Sequence, residues 1–315
     1  AFARRGFGAR GVSMGNAQVA DVFGHGSPWY NPALAPFYSD QSVEASHTFL
    51  SQDRGLEYVQ FLVPMPPRAG VAAGLIHAGV SNIDGRDASG YHTQDYSTNE
   101  FAGYLGFGSR VARSASIGIA FRFYRSDLLP DLNAATSIGL ALGGTYRVQE
   151  AWAIGIAVDD LLSRYEWDTS AVLGSSGRKT TDKFPVRLRL GTSYRMLQNK
   201  LLVSAEYESR FESVRATLRS IEVLGGTPTV VVNSESRTLR TGSFRIGAEY
   251  RMAEILLLRL GFDRIGGGSV SEIIPTAGFS VEQKVGDLGA SFQYAFGKEP
   301  YSLGSFHVIG VQLNI

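Results

Sequence analysis

The feature that most constrains this chain is a two-residue alternation of apolar and polar side chains that recurs throughout its C-terminal half. Val186, Leu188, Leu190, Thr192, Tyr194 and Met196 alternate with Arg187, Arg189, Gly191, Ser193 and Arg195. Leu201, Val203, Ala205 and Tyr207 then oppose Ser204, Glu206 and Glu208, and Phe244, Ile246, Ala248 and Tyr250 oppose Arg245, Gly247, Glu249 and Arg251. Leu256, Leu258, Leu260 and Phe262 face away from Arg259, Gly261 and Asp263. Successive side chains of a strand point to opposite faces, so each segment is a strand with one apolar and one polar face.

The same template places strands near 43–50, 55–65, 69–78, 98–110, 113–125, 136–148 and 151–160, then 185–196, 200–211, 241–252, 255–264, 274–285, 287–297 and 305–315. On the second of these, Val59, Phe61 and Val63 read as inward-facing. Fourteen strands, an even number, return the chain to its starting side in a closed antiparallel barrel, and closure removes aggregation-prone edges. Connection lengths alternate: short links at 65–69, 110–113, 148–151, 196–200, 252–255 and 285–287 separate long ones at 79–97, 126–135, 160–184, 212–240, 265–273 and 297–304. Only 51–54 is short where a long loop is expected. Short turns on one side and long loops on the other are the habit of outer-membrane barrels. The expected fold is therefore all-β, a 14-stranded antiparallel transmembrane β-barrel over 41–315. Near 212–240, two strand-like runs flank Gly225-Gly226-Thr227-Pro228, which predicts a hairpin extending outward.

A soluble sandwich also alternates, but its polar face meets bulk water, where Lys is common. Here the cations are 25 Arg and 5 Lys, and Arg187, Arg189, Arg195, Arg245, Arg251 and Arg259 share one face with Glu206, Glu208, Glu249 and Asp263. Such residues can pair across strands inside a confined lumen, as a charge ladder that stiffens the wall. The mean hydropathy of −0.03 does not oppose a membrane barrel, because half of each strand faces a polar interior. Tyr124, Tyr146, Tyr165, Trp167, Tyr194, Tyr250 and Tyr301, with Trp152 beside a short turn, suit interfacial belts.

Composition excludes several functions. With no cysteine, thiolate chemistry and disulfide scaffolds are absent. A net charge of +1 argues against a nucleic-acid partner. His25, His47, His77, His92 and His307 are scattered without metal-ligand spacing, so no metal or cofactor is expected. Gly143-Gly144 and Gly266-Gly267-Gly268 lack the lysine of a phosphate loop, which leaves close packing or loop flexibility. Asp159-Asp160 reads as a rim charge, and no Ser-His pair supports an enzyme. No signal peptide is visible, which reads as the mature form of an exported chain.

The first forty residues do not alternate. Small residues around Gly8, Arg10, Met14, Gly15 and Asn16 permit tight turns, and Asn31 can cap a short helix opened by Pro32. Residues 1–40 are expected to plug the lumen, burying Met14, Trp29 and Tyr30, with Arg10 paired to wall carboxylates. Gly8-Ala9-Arg10, Met14-Gly15-Asn16-Ala17 and Tyr30-Asn31-Pro32-Ala33 resemble the start of the FadL superfamily of outer-membrane barrels, and within it the PorV/PorQ family associated with type IX secretion. That resemblance implies a non-enzymatic protein of the bacterial outer membrane. It would be surrounded by outer-membrane lipid and would bind exported cargo or surface-secretion machinery through loops 79–97, 160–184 and 212–240. The superfamily also contains uptake channels for fatty acids and other hydrophobic ligands, which is the alternative reading. A structural barrel that self-associates into a homo-oligomer is a third.

Overall fold

The computed structural model describes residues 6–23, 26–130, 132–224, 227–266, 273–286, 288–299 and 304–315. The chain forms β1 (Ser42–Phe49), β2 (Arg54–Met65), β3 (Ala69–Arg86), β4 (His92–Arg110), β5 (Ala115–Asp127), β6 (Ala135–Gln149) and β7 (Trp152–Leu161). It continues through β8 (Arg164–Asp168), β9 (Lys179–Lys183), β10 (Val186–Met196), β11 (Leu201–Leu224) and β12 (Thr227–Arg251). The last strands are β13 (Leu256–Ile265), β14 (Ile274–Val285), β15 (Leu288–Lys298) and β16 (Ser305–Asn314). Fourteen of these close into an antiparallel barrel, β7 pairing with β10 and β1 with β16, where Val43 lies opposite Leu313. β8 and β9 form a separate two-stranded sheet inside the long 160–184 connection, with a short helix α2 (Ser170–Leu173) between them.

Strand boundaries follow the alternation where lipid-type and lumen surroundings differ on the two faces, and depart from it elsewhere. β3 and β4 run well into the segment expected as a loop at 79–97. The β11–β12 ladder continues without a break from Glu212 opposite Leu239 to Leu224 opposite Thr227, while Gly225 and Gly226 lie outside the described residues. At the β3–β4 tip both faces meet water, so the side-chain period disappears although backbone pairing persists.

The outer face carries Leu105, Phe121, Ile138, Phe244, Leu260 and Phe292, all exposed, in a band around the barrel. The short-turn end bears an outward aromatic row of Tyr146, Trp152, Tyr194 and Tyr250, in which Trp152 Nε1 donates to Thr192 Oγ1 at 2.8 Å. Tyr124 and Tyr165 do not join that belt. Both are buried inside the long-loop end, where Phe184 packs on each of them and Trp167 packs against Tyr165. Tyr301 lies outside the described residues. β2 is also reversed from the reading above: Leu56, Tyr58, Gln60 and Leu62 are buried in the lumen, whereas Phe61 and Val63 are exposed outside. Both faces of β2 are apolar, so periodicity gives its two sides but not which is which.

Leu260 lies mid-strand on the outer face, opposite Ala248 and Ala277. Leu260→Arg is expected to cost about 2–4 kcal/mol of folding free energy in a bilayer, against about 0–1 kcal/mol for Met252→Arg at the short-turn rim. Denaturant titration of refolding into lipid vesicles reads this difference, and equal costs would contradict the assigned orientation.

Candidate functional site

Residues 6–23 and 26–38 lie inside the barrel, almost all of them buried against its wall. The first turn is a one-turn helix α1 (Ala9–Ser13), entered through Gly8 at φ 72° beside Glu44 of the wall. A six-residue 3-10 helix follows at Pro32–Phe37. Asn31 caps it, its Oδ1 accepting from Ala33 N–H at 3.0 Å. The Asn31 amide nitrogen donates to Val19 O at 2.7 Å and to the wall carbonyls of Gly144 and Ile156 at 3.2 and 3.3 Å. One side chain therefore ends a turn and fixes it to two strands.

The wall is cut away where this backbone lies. A Cβ on Gly247 would stand 2.3 Å from Met14 O, on Gly261 2.2 Å from Gly15 N, and on Gly155 2.3 Å from Val19 O. On Gly118 it would be 2.4 Å from Pro32 C, and on Gly143 1.9 Å from Asn31 Oδ1. Gly143 is thus a packing glycine. Inward glycines on separate strands form a floor on which the segment backbone and the Asn31 amide lie closer than any wall Cβ would allow.

Charge supplies the second hold. Arg10 donates from Nη1 to Asp21 Oδ2 at 2.6 Å and from Nε to Glu249 Oε2 at 3.0 Å, and Glu249 also receives Arg259 Nε at 2.6 Å. Glu206 Oε2 accepts the N–H groups of Gln18 and Val19 at 3.2 and 3.0 Å. Asn16 donates to Asp263 Oδ2 at 3.1 Å and receives Tyr30 Oη at 2.7 Å. Wall arginines take the carbonyls: Arg110 that of Pro36, Arg122 that of Trp29, Arg189 that of Tyr30 and Arg195 that of Phe23. Arg122 also lies 4.3 Å over the Trp29 ring.

Eight of the ten ladder residues lie in buried ion pairs, whereas Arg195 instead donates to Phe23 O. Arg245 joins Glu206, Glu208 and Asp263 at 2.8, 3.0 and 2.7 Å, while Arg187 meets Asp160 at 3.0 Å and Arg189 meets Asp159 at 2.6 Å. Arg251 stands apart at the short-turn mouth, half exposed and paired with Glu282. Asp159 and Asp160 are not rim charges; both are buried in the lumen. Neighbouring strand residues ordinarily face opposite ways, and here Asp160 at φ 60°, beside a register shift between β6 and β7, turns both inward. Arg122, 1% exposed and 2.6 Å from Asp159, completes this side of the network. Sequence reasoning missed it because its neighbours on β5 are alanine, glycine and tyrosine rather than further charges.

The opposite side of the lumen is aromatic. Phe7, Trp29, Tyr30, Tyr38, Tyr58, Tyr104, Tyr124 and Tyr165 form one buried cluster with Leu56, Leu62 and Ile76. Trp29 meets Phe7 and Tyr104 edge-on at centroid distances of 5.0 and 5.1 Å. The cluster runs to Phe184, 5.0 Å from Tyr124 and 4.9 Å from Tyr165. There it borders a recess of about 910 Å³ lined by Ser137, Asp160 and Ser163, by the charged Arg164, Glu166 and Lys183, and by outward-facing Phe123, Ile138 and Leu162. The β6–β7 ladder begins only at Leu140 opposite Leu161, so the start of β6 lacks β7 as a neighbour and the recess touches both faces of the wall. A tighter apolar cleft of about 30 Å³ lies at the long-loop end between Val12 and Leu50, Leu56, Ile274 and Phe306.

The histidines are less scattered in space than in sequence. On the outer face near the long-loop end, His47 and His77 flank Glu57 at 2.9 and 2.8 Å, and His77 stacks on Phe101. His307 bonds Tyr294 Oη at 2.7 Å, and His25 lies outside the described residues. At the β3–β4 tip, beyond the apolar band, Asp84, His92 and Asp95 place possible ligand atoms within 4.8 Å of one another. Asp84 is already engaged, by His92 at 2.7 Å and Arg86 at 2.5 Å.

Neither a protein-family model nor a curated protein matches the sequence. Solved structures do match. The chain is similar to the Ralstonia pickettii toluene transporter TbuX, with a TM-score of 0.63 at 16% identity, covering 100% of this chain and 98% of that one. It is similar to the monoaromatic hydrocarbon channel CymD, with a TM-score of 0.64 at 14% identity over 100% and 98% of the two chains. A Pseudomonas aeruginosa FadL homologue gives 0.61 at 11% identity over 97% of each. The fold is that of the FadL-like barrels.

Three outcomes are expected. Gly247→Val with Gly261→Val should dislodge the inner segment while the barrel still forms, raising single-channel conductance in planar bilayers above the near-zero level of the parent. Arg245→Ala leaves Glu206, Glu208 and Asp263 buried without their common partner, and should cost about 3–5 kcal/mol in urea unfolding from micelles. At the β3–β4 tip, hydrogen bonding to Asp84 raises the His92 pKa, and bonds from His92 and Arg86 lower that of Asp84. His92 then contributes fully below its unfolded pKa and loses its contribution as pH rises through the raised folded value. Asp84 contributes above its unfolded pKa and loses its contribution as pH falls through the lowered one. Protection of the amides at 87–91, read as exchange relative to the unfolded-chain rate at each pH, should therefore be greatest between these limits and fall on either side.

Proposed function

We propose that this chain is an outer-membrane channel for small hydrophobic solutes, with residues 6–41 as a fixed plug that divides the lumen. The observation that carries this reading is the one-sided aromatic lining, continuous from Phe7 and Trp29 to Phe184 and the wall recess. An apolar molecule gains nothing among the Arg–Glu pairs of the other side, whose charges are already matched. It can partition among aromatic rings at little cost. On this reading the long-loop end is extracellular, solute enters beside Phe306, and the recess between β6 and β7 lets it leave sideways past Asp160. The shared fold of a toluene transporter and a monoaromatic hydrocarbon channel supports this over cargo delivery.

The β11–β12 hairpin, which rises past the barrel, keeps a second reading in view: a PorV-like surface for exported proteins. The two separate in one experiment. Vesicles holding the protein should admit radiolabelled toluene faster than empty vesicles, and Ser163→Trp, which fills the recess, should slow entry at least about tenfold, roughly 1.4 kcal/mol on the barrier. No acceleration by the parent protein, with exported proteins retained on it after gentle detergent extraction, would reject the channel and favour cargo binding.

A further inference from the structure

At the short-turn end, beneath the inner segment, the lumen holds a pocket of about 280 Å³ remote from the aromatic side. Five cations line it, Arg10, Arg195, Lys200, Arg251 and Arg259, against the lining carboxylates Glu249 and Glu282 and Asp21 behind Arg10, an excess of two positive charges. The remaining lining is neutral. Cations here outnumber the acids beside them.

Arg259 shows the imbalance atom by atom. Its side chain is 2% exposed; Nε donates to Glu249 at 2.6 Å and Nη2 to Ser280 Oγ at 2.7 Å. Its Nη1 has no acceptor among the described residues. A buried guanidinium N–H without an acceptor is costly, and such a group calls for a ligand or an explanation. Lys200 and Asn199 stand exposed at the entrance, so the pocket is reachable from solution.

We propose that this pocket binds a phosphate-type oxyanion. A tetrahedral dianion offers acceptors to several guanidinium groups at once and offsets the excess charge, which a single carboxylate does not. The anion would sit against Arg10, the residue that ties the inner segment to Glu249, and so would add a bond between segment and wall. The site is independent of which solute the lumen passes.

Calorimetric titration of the purified protein with inorganic phosphate tests this, in uncharged detergent with ionic strength held by sodium chloride. Saturable binding at one site is expected, with sulfate competing and acetate at least about tenfold weaker. Arg259→Gln should abolish it. Because that change also loosens Glu249, Lys200→Gln with Arg251→Gln at the mouth provides a second variant, expected to weaken phosphate about tenfold while the heat-modifiable gel mobility of the folded barrel is kept. Heat that tracks ionic strength without saturation, phosphate affinity unchanged in the mouth variant, or acetate binding as tightly as phosphate would each overturn the proposal.

Discussion

Closing a sheet encloses the polar face of every strand in a small volume, and whatever charge lies there must be matched within reach. Arg245 is where this constraint is met most fully: it reaches Glu206 and Glu208 on β11 and Asp263 on β13, binding three consecutive strands through one guanidinium. Lysine could not do this, because the arrangement uses a planar fork with several fixed donors. The preference for arginine in the composition is the sequence-level trace of that geometry. Arg187, Arg189 and Arg122 extend it to β7 through Asp159 and Asp160.

The network is also the bed of the inner segment. Glu206 accepts backbone N–H groups from 18 and 19 while it holds Arg245, and Glu249 is shared between Arg10 and Arg259. A carboxylate that serves wall and segment together cannot be assigned to either alone. Its removal would loosen both, which is why wall stiffness and lumen occupancy are one property here. The aromatic half is held differently, by ring contacts and by a few hydroxyls such as Ser27, Tyr58 and Tyr104 converging on Gln60. Ring contacts are non-directional compared with ion pairs, so this half can rearrange locally where the charged half cannot.

Legibility in the sequence followed physical contrast. β14 lies where alternation places it because apolar surroundings outside and polar ones inside write opposite residues on its two faces. β2 misleads because Tyr58 and Leu62 inside are as apolar as Phe61 and Val63 outside. The tip of β3–β4 was invisible because water surrounds both faces, whereas the β11–β12 hairpin had a turn signal in Gly225-Gly226-Thr227-Pro228. In the site, Arg245, Arg259 and Glu206 were legible as members of a charged face. The bonds Glu206 also makes to the segment were not, since the N–H groups of Gln18 and Val19 leave no mark on side-chain pattern. Asp159 and Asp160 carried a signal of another kind: two adjacent acids break a period of two, and the positive φ at Asp160 is how the chain accommodates them.

These holds bear on how a solute could pass. Segment carbonyls are taken by arginines from β4, β5 and β10, at Pro36, Trp29, Tyr30 and Phe23. Moving the segment as a body would break all of these together with Glu206, Glu249 and Asp263, and each buried donor left unmatched costs about 1–3 kcal/mol. The total far exceeds what partitioning of one small apolar molecule returns. Rotation of single side chains costs much less. The cleft beside Phe306, about 30 Å³, is too small for an aromatic ring as it stands, but it is bounded on one side by Phe306 and Leu50 rather than by ion pairs. On the channel reading proposed above, passage by local yielding along the aromatic side, with the segment retained, is therefore the route that these energetics favour.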